Sequence, residues 1–481
     1  MLFRSGGSLT TDGHTLKVFS QAPEITENPP VFDPAIVSGT FTYVIKVDAD
    51  PKKAPTTYAA KGLPPGLKID RLTGVITGKP TAVSRDPLGY LVTLTASNSR
   101  GKSEAQGRLL VLDLNPLLIG AYNGPVGRDA ALNGGLGGSI DLNVTAKGPF
   151  TGRLALGPVT LSFRGVLHTS PGSPAATGNV TLPRRGSTPV TLSFTLDGSN
   201  LISTATLTDG TATLAFNGWR NVWNARTNSA LNAFAAYHTL GLDLTTQAGV
   251  EGVPQGNGYA SVTLAAAGTV RVVGKLADGE TLTRSTFTGP TGQVSVFQLL
   301  YKSKPGGSVQ GTLDLNPADL TGALNWWRPA DVKAKLYSAG FPGVVDLTAV
   351  GGPYAAPAAG KVFLNLDPGP SNALLSLSEG GIEASVANAA DLDLITSIAL
   401  RSVATVATDP SKNPRRVTLK LGEKTGLLSG TVELEDTVAG RPVKRRVPVQ
   451  AIAIPQSGGL KANGYFILNG LSGQVILQTA F

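Results

Sequence analysis

Three histidines, His14, His168 and His238, are the only imidazoles in 481 residues, and there is no cysteine. A zinc centre needs ligands grouped by local spacing, and these three are scattered. Without a thiolate, cysteine nucleophiles, disulfides and sulfur-ligated metals are excluded. No serine has glycine two residues before and two after it, so the nucleophile elbow of the α/β hydrolases is missing. No G-x-x-x-x-G-K-[ST] loop occurs, and Gly256-Asn257-Gly258 lacks the third glycine of a dinucleotide fingerprint. His168 and His238 end strand-like runs and read as structural side chains. Glu433, Glu435 and Asp436 could supply paired carboxylates for glycoside hydrolysis, but residues i and i+2 of a strand merely share a face. The reading is therefore non-enzymatic, with no catalytic residue and no cofactor.

Two tryptophan–arginine pairs remain, Trp219 with Arg220 and Trp327 with Arg328. An exposed pair of this kind stacks on a sugar ring or an acidic glycan. The competing role is a large aromatic plugging the end of a barrel. Trp326 and Trp327 point to opposite faces of a strand, so one is expected in the core and the other outside.

The elements that must carry these residues are strands. Period-two alternation recurs along the chain, as in Thr191–Asp197 and Ala260–Ala266, and Gly, Pro, Asn-Gly and Asp-Gly turns punctuate it. The short exceptions are Asn228–His238, a helix or strand entry, and Asn388–Ile395, a helical turn. Glycine followed by a variable residue and an aliphatic recurs inside strand patterns, at Gly152, Gly274, Gly311, Gly322, Gly430 and Gly473. The pattern predicts bulges or tight bends where a sheet curls. Three-strand meanders starting near 137, 258 and 416 frame a repeat of about 115–130 residues, with room for seven to eight strands each. A meander of that length closes on itself and removes its edges. The expected organisation is a remnant of a preceding module at 1–20, one domain at 21–115, and β-repeat domains at 118–231, 232–347 and 348–481. The fold class is all-β: a sandwich followed by antiparallel meander barrels or sandwiches.

Within 21–115 the order of signals is specific. Gly62-Leu63-Pro64-Pro65-Gly66-Leu67 precedes Asp70-Arg71-Leu72-Thr73-Gly74-Val75-Ile76-Thr77-Gly78-Lys79-Pro80, and Val92–Gly101 closes the unit. This stretch resembles the bacterial immunoglobulin-like domain related to dystroglycan-type cadherin-like domains. Pro64-Pro65-Gly66 makes a turn, Asp70 and Thr73 bond local backbone, and Leu63, Leu67, Ile69 and Ile76 fill a core between two sheets. Cadherin-type relatives bind calcium through acidic clusters, which makes Asp48, Asp50 and Asp70 the metal candidates. The D-x-N-D-N linker pattern is absent, and plain turn acids are the competing reading. Residues 118–481 look like repeats of large surface proteins of environmental bacteria, on features such as Gly274-Lys275-Leu276-Ala277-Asp278-Gly279 and Leu324-Asn325-Trp326-Trp327-Arg328-Pro329. That resemblance implies an extracellular location and no activity.

The net charge of +9 is spread over the segments, whereas a nucleic-acid binder concentrates it. Arg184-Arg185, Arg415-Arg416 and Lys444-Arg445-Arg446 read as solvated strand faces or turns; attraction to an acidic polysaccharide is the sharper alternative. No run of 18 apolar residues indicates a membrane helix. The terminal Phe481 resembles an outer-membrane barrel signal, but aromatics at 6% are thin for two interface girdles. The opening Leu2-Phe3-Arg4-Ser5 matches a translated sequencing adapter, so the start is read as truncated, with any signal peptide lost upstream. The expectation is an extracellular or cell-surface structural or adhesive fragment, its partners polysaccharide or other surface proteins, without nucleic acid or membrane insertion. A carbohydrate-binding accessory region of a secreted polysaccharide-degrading enzyme is the alternative, and an outer-membrane β-barrel a third.

Overall fold

The computed structural model describes residues 8–11, 14–17, 19–169, 173–301, 306–382, 393–398, 403–404, 413, 415–456 and 459–480. Strands dominate and the fold is all-β, as the alternation predicts. Residues 24–111 build the immunoglobulin-like part from two three-stranded sheets. One orders Phe41–Val44, Val75–Gly78, Leu67–Ile69; the other orders Thr57–Lys61, Tyr90–Asn98, Gly101–Leu109. Between them pack Leu67, Ile76, Val92, Leu94 and Leu109, with Leu63 and Ile69 partly buried beside them. The Asp70 carboxylate accepts from Leu72 N at 2.8 Å and Thr73 N at 3.1 Å, and Gly74 sits at φ +72°. The D-x-x-T-G block is thus the tight connection between Leu67–Ile69 and Val75–Gly78.

Three eight-stranded antiparallel sheets follow. They begin with Gly120–Val126, Tyr237–Leu244 and Gly369–Glu379 and end with Thr213–Arg220, Val345–Pro353 and Leu471–Thr479. In each, the first strand pairs with the last and the other neighbours follow chain order. This is an up-and-down meander returning to its start, so few edge groups are left unpaired. In the first sheet a bridge from His168 to Thr177 spans the remaining seam; in the second, Thr288 to Val294 does so. Both are nearly closed barrels.

Alternation fills their interiors. Along Thr269–Lys275, Val270 and Val272 are fully buried while Arg271 and Val273 point outward. Four of the recurrent glycines are not bulges: pairing runs without a register shift through Gly274, Gly311, Gly322 and Gly430. A Cβ at Gly311 would overlap the Ala323 carbonyl, and one at Gly430 the Thr418 carbonyl. The partner strand lies across each glycine, as close curling of a small barrel requires. Asn228–His238 is a single 3-10 turn, Ala230–Asn232, before the strand Tyr237–Leu244. Asn388–Ile395 is not a helical turn where it is described, because Asp393–Ile398 is a strand; residues 388–392 lie outside the described residues.

Contacts cluster into two compact units: 1–121 with 142–153 and 162–213, and 122–141 with 154–161 and 214–481. In the former, Phe150 makes edge-to-face contacts with Phe163 and Phe194. In the latter, strand Arg441–Gln456 of the third sheet packs into the cores of both the second and third sheets. Its run Ala451–Ile454 is buried on both faces, Ala451 and Ala453 joining Val449 in the third core and Ile452 and Ile454 lying in the second. Thr239 donates its hydroxyl to Ala453 O at 2.6 Å, and Ser472 donates its own to Ala277 O at 2.6 Å. Backbone bonds from Gln255 N to Ser472 O and from Asn257 N to Gly464 O complete the seam. A strand apolar on both faces reads as a continuous hydrophobic run, here Ala451-Ile452-Ala453-Ile454.

Candidate functional site

The tryptophan–arginine candidates are set by strand alternation. Trp219 is buried and Arg220 half-buried, so they do not present one stacked pair. The Trp219 ring lies against Gly289, and Trp223 donates its indole N–H to Gly289 O at 3.0 Å while meeting Phe234 edge-on. Trp326 is fully buried and Trp327 half-buried, matching the expected opposition of faces.

Arg328 is buried in a network of its own and is not displayed beside Trp327. It donates to Asp278 Oδ2 at 2.9 Å and to Leu336 O at 2.6 Å, with its guanidinium 4.3 Å over the Tyr301 ring. The same Asp278 oxygen accepts from the Tyr301 hydroxyl at 2.7 Å, and Tyr301 in turn accepts from the Trp326 indole at 3.0 Å. Burial pushes the Asp278 carboxyl up, against the pull of Tyr301, Glu280 N and Arg328. Burial and then Asp278 push the Tyr301 hydroxyl above its ordinary value. Arg328, Tyr301 and Trp326 each donate to an acceptor inside the protein, so the cluster is a buried network of barrel residues. The alternation pattern could not reveal this, since Asp278 lies 50 residues from Arg328.

The acidic candidates are also engaged. Asp48 takes Asp50 N at 2.9 Å and the Lys53 ammonium at 2.7 Å, and Asp50 takes Lys52 N at 2.9 Å. The Lys53 ammonium holds the Asp48 carboxyl below its usual range. Asp70 serves its own turn. Among the described residues, no group of three or more His, Asp or Glu side chains stands close enough to hold a metal. Glu433 lies 3.7 Å from both Arg416 and Lys444.

The open polar surface lies elsewhere, on the outward face of the third sheet. Thr418, Lys420, Ser429, Thr431, Pro448 and Gln450 line a trough of about 410 Å³ across three adjacent strands, Thr418–Gly422, Leu427–Val438 and Arg441–Gln456. The Thr418 and Thr431 hydroxyls meet at 2.9 Å, and Arg446 donates its Nε to Thr431 at 2.9 Å from the rim. At the inner end Gln450 accepts from the Tyr259 hydroxyl at 3.1 Å. A second trough, of about 280 Å³, lies on the first sheet between Thr177, Asn179, Ser193, Thr195, Thr204 and Thr206. Residue-by-residue motif reading missed both, because three strands contribute to each. Only the Lys444-Arg445-Arg446 cluster beside the larger trough was visible in sequence.

Residues 24–111 match the family described as "Putative Ig domain". That stretch of the chain is an immunoglobulin-like domain. Among solved structures, a putative alpha-galactosidase from Bacteroides fragilis is 32% identical over 25% of this chain and 23% of that one, with a TM-score of 0.16. A putative alpha-galactosidase/melibiase from the same organism is 29% identical over 24% and 22%, also at 0.16. This chain thus spans under a quarter of either. The isotype 1 transferrin binding protein B of Neisseria meningitidis is 8% identical over 88% of this chain and 84% of that one, at 0.16. No curated protein matches. Among the described residues no helix is long and apolar enough to cross a membrane, which says nothing of crossing by strands.

Proposed function

We propose that the chain is a non-enzymatic structural or adhesive segment of an extracellular or cell-surface protein, in which β-barrels act as stiff spacers beside an immunoglobulin-like domain. The observation that carries the reading is the strand Arg441–Gln456, whose two faces belong to two cores. Separating the second and third sheets would expose Ile452 and Ile454 and break the Thr239 and Ser472 hydrogen bonds. Shared burial of this kind resists hinge motion between neighbours, which suits a stalk. The residue types that would do chemistry are used otherwise: Asp278 and Arg328 pair in a buried network, and Asp48, Asp50 and Asp70 hold turns. The polarity also runs against a membrane barrel. A membrane barrel is apolar outside with a polar interior, whereas here the second and third sheets enclose aliphatic and aromatic cores and the first sheet's outward face carries Thr, Ser and Asn.

Calorimetry on the whole chain tests the spacer reading. The second and third sheets are expected to melt in one shared transition, and Ile452→Asp is expected to split it. Separate transitions in the unsubstituted chain would refute a stiff tandem. Release of reducing ends from polysaccharides by the purified chain would refute the non-enzymatic reading. The accessory carbohydrate-binding alternative is favoured by one feature, the troughs on the outward faces.

A further inference from the structure

We infer that the trough on the third sheet is a binding site for an acidic polysaccharide, a chain of uronic acid sugars. The inference rests on the surface reading above and names its partner. Neighbouring strands lie about 4.8 Å apart and same-face side chains about 7 Å apart. Three strands therefore offer a grid of hydroxyl and amide groups on the scale of one or two sugar rings. Thr418, Ser429 and Thr431 provide hydroxyls, Gln450 an amide, and Pro448 an apolar ring exposed beside them.

Charge selects among sugars. The lining holds Lys420 and no carboxylate, and Arg446 is held at the rim by its bond to Thr431. Lys444 extends the same face two residues further along the strand. Glu433 offsets part of this charge through Lys444 and Arg416, but it lies outside the lining. On the trough's own face Lys420, Lys444 and Arg446 outnumber Glu433 and Glu435, which stand opposite Arg446 and Lys444 in the strand register. Carboxylates spaced along a polyuronate can meet Lys420 and Arg446 while ring hydroxyls meet the threonines and serine. The first sheet's trough has the hydroxyls and an asparagine but no charged group in its lining. It is an internal contrast, with no means to prefer an acidic chain.

Affinity electrophoresis of the full chain tests the assignment, with gels containing polygalacturonate, dextran or double-stranded DNA. The expected result is retardation by polygalacturonate alone, weakening with salt because exposed charges are screened. Lys420→Glu with Arg446→Glu is expected to reduce affinity about tenfold or more, as contacts turn to repulsion. The milder pair Lys420→Gln with Arg446→Gln is expected to reduce it by a smaller factor. Circular dichroism and melting of each variant show that the fold is kept. No retardation, retardation unchanged in both double variants, or equal retention on DNA would overturn the site. The shared melting transition reports the spacer reading separately, because neither exposed cation belongs to the buried seam.

Discussion

His238 carries the most demanding prediction. It stands in the strand Tyr237–Leu244 on the same face as Leu240 and Leu242, and it is wholly buried. Neither ring nitrogen has a hydrogen-bond partner. Burial lowers its pKa from 6.5 to about 4. The unfolded chain therefore binds a proton that the folded chain refuses between these values, and stability must fall as pH drops through that window. A shift of this size corresponds to about 3 kcal/mol at full development, and about 2–3 kcal/mol of it is lost between pH 7.5 and 4.5. Other groups titrate in the same range, so the comparison is with His238→Leu, which removes the imidazole and its orphaned nitrogens. The two proteins are melted at pH 7.5 and at pH 4.5. The variant is expected to gain on the parent by roughly 5–10 °C more at the lower pH, at about 2–4 °C per kcal/mol for a cooperative unit of this size. It is also expected to be at least as stable at pH 7.5, because an unpaired buried polar group costs about 1–3 kcal/mol. An equal difference at both pH values would refute the reasoning, since the imidazole would then be hydrated or paired in solution.

Asp278→Ala is expected to cost about 3–5 kcal/mol in denaturant unfolding, because it leaves the buried Arg328 guanidinium without its counter-charge. Trp326→Ala is expected to cost about 3–5 kcal/mol, while Trp327→Ala on the opposite face costs about 1 kcal/mol; similar losses would mean that the face assignment is wrong. Millimolar calcium is expected to leave the melting temperature unchanged, since Asp48, Asp50 and Asp70 are committed to backbone N–H groups and Lys53; a clear rise would revive the metal reading. Arg128, whose guanidinium is met by Ser308 and the carbonyls of Gly135, Ser308 and Asn325, has its pKa lowered by burial to about 10. Arg128→Met is expected to cost about 1–3 kcal/mol in denaturant unfolding, because it leaves those buried acceptors without their donor; an unchanged unfolding midpoint would refute this.

Local chemistry made much of the architecture readable. Pro64-Pro65-Gly66 and Asp70-x-x-Thr73-Gly74 can only turn, and the residues around them can only pair as strands. Alternation in runs such as Thr269–Lys275 states which side chains face inward, and the opposed faces of Trp326 and Trp327 follow from the same period. The meanders closing on themselves were also legible from strand count and spacing, but the side-chain partners across strands were not. The glycines inside strands suggested bulges or tight bends, and only the pairing chose between them: Gly311 and Gly430 keep register and yield space to the neighbouring backbone of a curled sheet.

The amino-acid sequence by itself determined the all-β class, the immunoglobulin-like stretch and the exclusion of cysteine chemistry, because turns, period and composition are legible along the chain. Only the tertiary structure decided what the polar residues are for. Arg328 looked like a partner for a sugar and became the counter-ion of Asp278, while Thr418, Ser429 and Gln450 carried no local signal and became the lining of a trough. Burial and charge pairing depend on strands brought together from distant parts of the chain, and no pattern along one strand contains them.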